Sequence, residues 1–253
     1  MQVLTKVAKG GRPDTNDGGS SVWEPFIMAH ENKIGYFYSD SRDKLHSQKL
    51  SHQESTDLLT WGPIVNDARD SNYTIRPGMT SIAEMGNGKF LFTYEVDKLQ
   101  GFPAYAHQPL NYKIADSPFK FDSATPYPIV SANDNVTASS APQVIWSPAG
   151  GKNGTIVVTA SHEESFFLNT KYGDPKAWIR VDSGHGVGYS RALQIIPSTD
   201  GKVVLVFNGG SWESHTPKSV TCGDYVIPGP GSSEDTISQC SNPLASSSED
   251  YDE

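Results

Sequence analysis

Two glutamates stand out as candidates for chemistry. Glu24 lies in Val22-Trp23-Glu24-Pro25-Phe26 and Glu95 in Leu91-Phe92-Thr93-Tyr94-Glu95. A glutamate beside a strand end is ordinarily a solvated charge, but each of these directly follows an aromatic residue in apolar surroundings. Hydrolysis of a glycosidic bond needs two carboxyl groups, one protonated to assist the leaving oxygen and one ionised to attack the anomeric carbon or activate water. Arg76, in Ile75-Arg76-Pro77-Gly78-Met79, offers a guanidinium that can hold sugar hydroxyls or steer a carboxylate. A structural salt bridge is its equal alternative. Tyr189 offers a phenol to a carboxylate or a sugar, with a packed, hydrogen-bonded tyrosine as the alternative. Trp23, Tyr94 and Arg191 complete the expected substrate-binding set.

Other chemistries lack their parts. The sequence has no Gly-rich phosphate loop, His-Glu-x-x-His helix, zinc-spaced cysteine pairs or Gly-x-Ser-x-Gly elbow. Its 7 histidines are dispersed, so no metal site follows from spacing and no cofactor is expected. The net charge is −9 and the 20 lysines and arginines form no cluster, which argues against nucleic-acid and membrane-surface partners. No run reaches the ~18 to 20 apolar residues of a membrane span, and Met1-Gln2-Val3-Leu4 opens no signal-peptide pattern. Cys222 and Cys240 could pair in an oxidising compartment or remain free. Sequons at Asn72, Asn135 and Asn153 are compatible with a secreted glycoprotein.

The elements that must position these residues repeat. Phe26–Ala29 leads through Glu31-Asn32 into Ile34–Tyr38, and Ser81–Ala83 through Gly86-Asn87-Gly88 into Phe90–Tyr94. Gln143–Trp146 leads through Asn153-Gly154 into Ile156–Val158, and Leu193–Ile196 through Asp200-Gly201 into Val203–Phe207. Asn-Gly and Asp-Gly supply the positive φ angles of tight hairpins, and the flanks are β-branched or aromatic. Asn32, Asn87, Asn153 and Asp200 are 55, 66 and 47 residues apart, the span of one four-stranded blade each. The fold expected is all-β, a propeller of about four blades. A β-sandwich also yields evenly spaced strands, but does not require hairpins to recur at blade length in one apolar context.

Outer strands are expected at 46–50, 111–114 and 165–168. After the first, Ser55-Thr56-Asp57-Leu58-Leu59-Thr60-Trp61-Gly62 reads as a degenerate Ser-x-Asp-x-Gly-x-x-Trp turn of sialidase-type blades, lacking its glycine and one spacer. An incomplete propeller domain is expected over 1–221. The Ser- and acid-rich stretch 222–253 lacks the apolar surface to order itself and is expected to be a disordered tail. Arg76 is expected to begin the second blade at the position that Glu24 occupies in the first.

Together, Val22-Trp23-Glu24-Pro25-Phe26, Arg76-Pro77-Gly78-Met79, Leu91-Phe92-Thr93-Tyr94-Glu95 and Tyr189-Ser190-Arg191 resemble, in order, the motifs of glycoside hydrolase family 93, fungal exo-arabinanases with a six-bladed sialidase-like propeller. The resemblance covers about Met1 to Gly210. It implies a retaining glycosidase that releases arabinobiose from the ends of α-1,5-L-arabinan, with Glu24 as acid/base, Glu95 as nucleophile and Tyr189 in the pocket. It also implies secretion, and a monomer were the propeller complete. Four blades against six imply that the chain lacks the family's N-terminal third, with Met1–Val7 reading as the last strand of a blade. A non-catalytic carbohydrate-binding propeller or inactive remnant is therefore the alternative. A sialidase is third, since its arginine triad does not emerge from Arg12, Arg42, Arg69, Arg76, Arg180 and Arg191.

Overall fold

Each of the four expected turns lies between the two inner strands of an antiparallel sheet, but only the first connection is a tight one of two residues; the others have five, seven and seven, and the last contains a 3-10 turn at Pro197–Thr199. The structure, a computed structural model, describes residues 5–12, 17–211 and 219–230. The first blade holds β1 (Val22–His30), β2 (Lys33–Asp40), β3 (Lys49–Ser55) and β4 (Val65–Ala68). The second holds β5 (Arg76–Glu84), β6 (Phe90–Asp97), β7 (Leu110–Ala115) and β8 (Tyr127–Pro128). The third holds β9 (Gln143–Ser147), β10 (Thr155–Thr159), β11 (Ser165–Asn169) and β12 (Trp178–Asp182). The fourth holds β13 (Ala192–Ile195), β14 (Val203–Asn208) and β15 (Thr221–Val226). In every sheet the strands lie side by side in chain order, and the inner strands β1, β5, β9 and β13 pack in sequence, as in a β-propeller.

Three hydrophobic clusters fill the three interfaces between blades. Strand β6 shows how one sequence serves two of them. Phe90, Phe92, Tyr94 and Val96 face the first blade, packed with Phe37, Leu50 and Phe121. Leu91, from the other side of the strand, joins Val144, Ile156 and Trp178 of the third blade. Val157 and Phe166 pass in the same way to Val204, Val206 and Tyr225 of the fourth. Period-two alternation thus makes each blade a two-sided wedge.

A second repeat lies in the backbone. Where each inner strand begins, a non-glycine residue turns left-handed: Glu24 (φ 55), Met79 (φ 59), Ala141 (φ 44), with Ser140 (φ 67) before it, and Ser190 (φ 51). In each case regular pairing or the strand itself resumes two residues later, at Phe26, Ser81, Gln143 and Ala192. In the first two blades the kink is a β-bulge, with Glu24 and Pro25 opposite Tyr38, and Met79 and Thr80 opposite Tyr94. Met79, not Arg76, is therefore the equivalent of Glu24. Arg76 pairs with Asp97 three residues earlier in register.

Some boundaries differ from expectation. The third strand of the first blade is Lys49–Ser55, later than 46–50. Asp43 explains the delay, because its carboxylate caps the Leu45 N–H and its carbonyl accepts from the His46 N–H, closing a turn there. In the first hairpin the left-handed residue is Glu31 (φ 52) and Asn32 is not left-handed. The degenerate turn after β3 is held by Ser55 Oγ, which accepts from the Leu58 N–H at 2.8 Å, and by Asp57 Oδ1, which accepts from the Leu59 and Thr60 N–H groups at 2.8 and 2.7 Å. These bonds pull the Asp57 carboxyl down to about 2. Trp61 packs edge-on against Tyr36. Strand β15 pairs with β14 across Thr221–Val226, so the fourth blade runs past residue 221. The expected tail beyond 230 and Cys240, and with it any Cys222 pairing, lie outside the described residues. Met1–Leu4 do as well, and Thr5–Val7 form no strand.

A β-branched side chain tolerates the left-handed region poorly. Ser190→Val is expected to lower stability by about 1 to 3 kcal/mol, read as a shift in the urea midpoint.

Candidate active site

The starts of the first, third and fourth inner strands converge on one pocket of about 840 Å³, lined by Glu24 and by the residues that precede the left-handed positions, Trp23, Ser140 and Tyr189. The kink at Glu24 breaks alternation, so Trp23 and Glu24, adjacent in sequence, both line it. Ser140 and Tyr189 enter from the corresponding positions of the third and fourth blades. On β6, Glu95 and Asp97 line it as alternate residues of one face. Arg76 and Gln48 form part of the wall, and Gln108 with the exposed His107 and His162 is contributed by loops.

The two glutamates are fixed by different blades. Glu24 Oε2 accepts from Ser39 Oγ, and from the Met79 N–H at 2.9 Å, the backbone of the neighbouring kink. Glu95 Oε2 accepts from the Ala141 N–H at 2.7 Å and Ser140 Oγ at 3.2 Å, the kink of the third blade. Each carboxyl thus has one oxygen held and the other, Oε1, without a hydrogen bond to the described residues. Between them lies bare backbone at Gly78. An ideal Cβ there would stand 3.2 Å from Glu24 Oε2 and 3.6 Å from Glu95 Oε1, and 3.0 Å from Gln48 Nε2. Those two oxygens are therefore no farther apart than the sum of the first two distances.

The two carboxyls differ in burial, Glu24 being only partly buried. Glu95 is 8% exposed. Burial, with repulsion from Glu24 as a smaller addition, pushes its carboxyl up to about 7 against the opposing pull of the Ala141 N–H. Tyr189, an exposed residue lining the same pocket, is pushed up to about 12 by partial desolvation first and then by both glutamates, and stays neutral. Its hydroxyl donates to Met79 Sδ at 3.4 Å.

Gln48 was not anticipated. It is buried, and its Oε1 accepts from Trp23 Nε1 at 3.0 Å and Arg76 Nη2 at 2.8 Å while its Nε2 donates to the Pro77 carbonyl at 2.9 Å. It ties the tryptophan of one blade to the arginine of the next. Arg76 also donates to the Ser47 carbonyl at 3.3 Å and makes no ion pair among the described residues, so the salt-bridge alternative does not apply. Asp97 was legible as the residue two beyond Glu95 on one strand. Gln48, His107, Gln108 and His162 come from loops or a strand's approach, where no periodicity marks a side.

Two expected site residues do not reach the pocket. Tyr94 precedes Glu95 on an unkinked strand, so alternation sends it to the opposite face, where it lines a second cavity. Arg191 follows the left-handed Ser190 and turns away into the blade interface. There its guanidinium donates to the carbonyls of Ala160 at 2.8 Å, Glu163 at 2.6 Å and Gly186 at 3.3 Å, and lies over the Phe166 ring. Among the described residues no group of three or more His, Cys, Asp or Glu could hold a metal, and no helix is long and apolar enough to cross a membrane.

A carboxyl whose folded value is raised is ionised at a cost. The folded state binds the extra proton between the ordinary carboxylate range and about 7, so stability falls as pH rises through that window. Glu95→Gln is expected to be more stable than the parent at pH 8, by on the order of 3 kcal/mol. The difference should vanish near pH 4, as followed by thermal melts across pH.

No protein-family profile matches the sequence, and a search of curated proteins gives no match. Solved structures do match. The GH93 α-L-arabinofuranosidase of Fusarium graminearum, complexed with arabinobiose, is 35% identical with a TM-score of 0.83, over 88% of this chain and 63% of that one. The Penicillium chrysogenum α-L-arabinanase, also complexed with arabinobiose, is 31% identical with a TM-score of 0.82, over 88% and 62%. A family 117 glycoside hydrolase of Zobellia galactanivorans, 14% identical at a TM-score of 0.56 over 94% and 74%, shares the fold alone. The chain spans less than two thirds of the length of the first two. Over its four blades, the chain is similar in propeller fold and in sequence to these two arabinobiose-bound structures, the first of them a glycoside hydrolase of family 93.

Proposed function

We propose that the chain carries the active site of a retaining glycoside hydrolase that acts on arabinan, the polysaccharide of plant pectin side chains, and releases arabinobiose. The observation that carries this reading is the pair Glu24 and Glu95, held on either side of Gly78 with one free oxygen each. The upper bound on the separation of Glu24 Oε2 and Glu95 Oε1 is compatible with the ~5 to 5.5 Å between the carboxyl groups of retaining pairs. Arabinobiose bound in two similar solved structures supplies the substrate class, and secretion accords with a polymeric substrate outside the cell.

Proton balance supports Glu95 as the acid/base and Glu24 as the nucleophile, the reverse of the roles the resemblance implied. A carboxyl pushed up to about 7 holds the proton that the leaving oxygen must receive. Glu24 Oε1 is free to attack the anomeric carbon while Oε2 is anchored by Ser39 and Met79. In the second step Glu95, now ionised, takes a proton from the water that releases the sugar. Arg76 and Trp23, fixed by Gln48, present a guanidinium and an aromatic face to hydroxyls and ring carbons. Tyr189 remains a neutral hydrogen-bonding group beside the pair.

The pocket holds a single arginine, Arg76, among the described residues. Arg42 is paired with Asp40, and Arg180 with Asp134 and Glu163, which leaves the sialidase reading without its triad. The carbohydrate-binding alternative predicts affinity for arabino-oligosaccharides without turnover.

Glu24→Gln and Glu95→Gln are each expected to lower arabinan hydrolysis by about 10²- to 10⁴-fold or more. Arabinobiose release by the parent excludes the binding-only reading, and parent-like rates in both variants sink the catalytic assignment. With an aryl arabinobioside, azide should restore turnover of Glu95→Ala and give a glycosyl azide of retained configuration. The same product from Glu24→Ala instead would exchange the two roles.

A further inference from the structure

Strand β6 presents Glu95 and Asp97 to the catalytic pocket and Tyr94 and Val96 to the other side, where a separate cavity of about 310 Å³ lies between the first and second blades. Its walls are apolar, from Ile75, Pro77, Val96 and Leu99. Three buried polar side chains also line it, each with hydrogen-bonding capacity unused by the described residues. Tyr94 is only 5% exposed and its hydroxyl has no partner among them. Lys113 Nζ donates to the Asp67 carbonyl at 2.6 Å and the Phe121 carbonyl at 3.0 Å, leaving one N–H. Asn111 gives its Nδ2 to the Pro109 carbonyl at 3.4 Å and leaves its Oδ1 without a donor. Arg69 and Asp122, both exposed, also line it and make no ion pair among the described residues.

With no hydrogen-bond partner among the described residues, the Tyr94 hydroxyl faces the cavity and is available to a group bound there. Donors and acceptors alternating against aliphatic and aromatic walls match a neutral sugar, whose hydroxyls both give and take hydrogen bonds while its carbons pack. An anion is disfavoured, because the carboxylates of Asp70 and Asp122 offset Arg69 and Lys113. The volume lies at the low end of the ~300 to 1,000 Å³ of ligand pockets, room for a terminal unit or two. We propose that this cavity is a second carbohydrate site, distinct from the catalytic pocket, that takes an arabinose unit of the polymer. The choice of arabinose rests on the function proposed above. The site itself rests on the cavity.

The test is titration calorimetry of arabinotriose into the full chain carrying Glu95→Gln, which prevents turnover. Two binding events are expected. Ala124→Trp, which fills the half-buried mouth, should abolish the weaker one, and Tyr94→Phe should weaken it at least fivefold, with the stronger event and the melting temperature retained. If Ala124→Trp does not fold, Tyr94→Phe decides. A single event in the parent background, or two events that survive these substitutions, overturns the proposal. Parent turnover of arabinan is scored separately, so a chain that binds at the cavity without hydrolysing arabinan fails the functional reading and not this one.

Discussion

The site depends on one backbone constraint, the left-handed residue that begins each inner strand. At Glu24, Met79, Ala141 and Ser190 the chain adopts a conformation that costs a non-glycine residue on the order of 1 to 3 kcal/mol. The kink does two things that a regular strand cannot. It turns two consecutive side chains, Trp23 and Glu24, toward the same pocket. It also frees backbone N–H groups from the ladder, and those of Met79 and Ala141 are the donors that hold the two carboxylates. Strain in one blade is thereby coupled to charge placed by its neighbour.

Burial then differentiates two chemically identical groups. Glu95 sits on a flat, covered strand and pays the desolvation cost of ionisation, whereas Glu24 stands at the kink and receives two donors, Ser39 and Met79. Gly78 keeps the space between them empty, since any Cβ would crowd Gln48 and Glu24. Gln48 extends the same logic to the pocket wall by fixing Trp23 and Arg76 with one amide.

The hairpins were legible in sequence because period-two apolar patterns flank recognisable turns, and inner strands in a propeller point their starts at a common centre. That was enough to select Glu24, Glu95, Arg76, Trp23 and Tyr189. It failed where local geometry overrides neighbourhood. Tyr94 adjoins Glu95, yet strict alternation sends the two to opposite faces. Trp23 adjoins Glu24, and the bulge sends them to the same one. Arg191 belongs to a motif whose tyrosine lines the pocket, but the residue after a kink turns inward and spends its donors on carbonyls. A left-handed kink leaves no mark in residue type, since Glu, Met, Ala and Ser all occupy it, and Gln48 and the two pocket histidines arrive on segments whose direction no periodicity encodes.

Because the three hydrophobic clusters lie between blades and not within them, the pocket is a property of joints. Glu24 rests on the second blade and Glu95 on the third, so neither carboxyl has its environment before its neighbour blade has docked. The arrangement of the two carboxyls is in this sense a property of docked neighbours and of no single blade. The ionisation of Glu95 works as a built-in gauge of how tightly the second and third blades are closed.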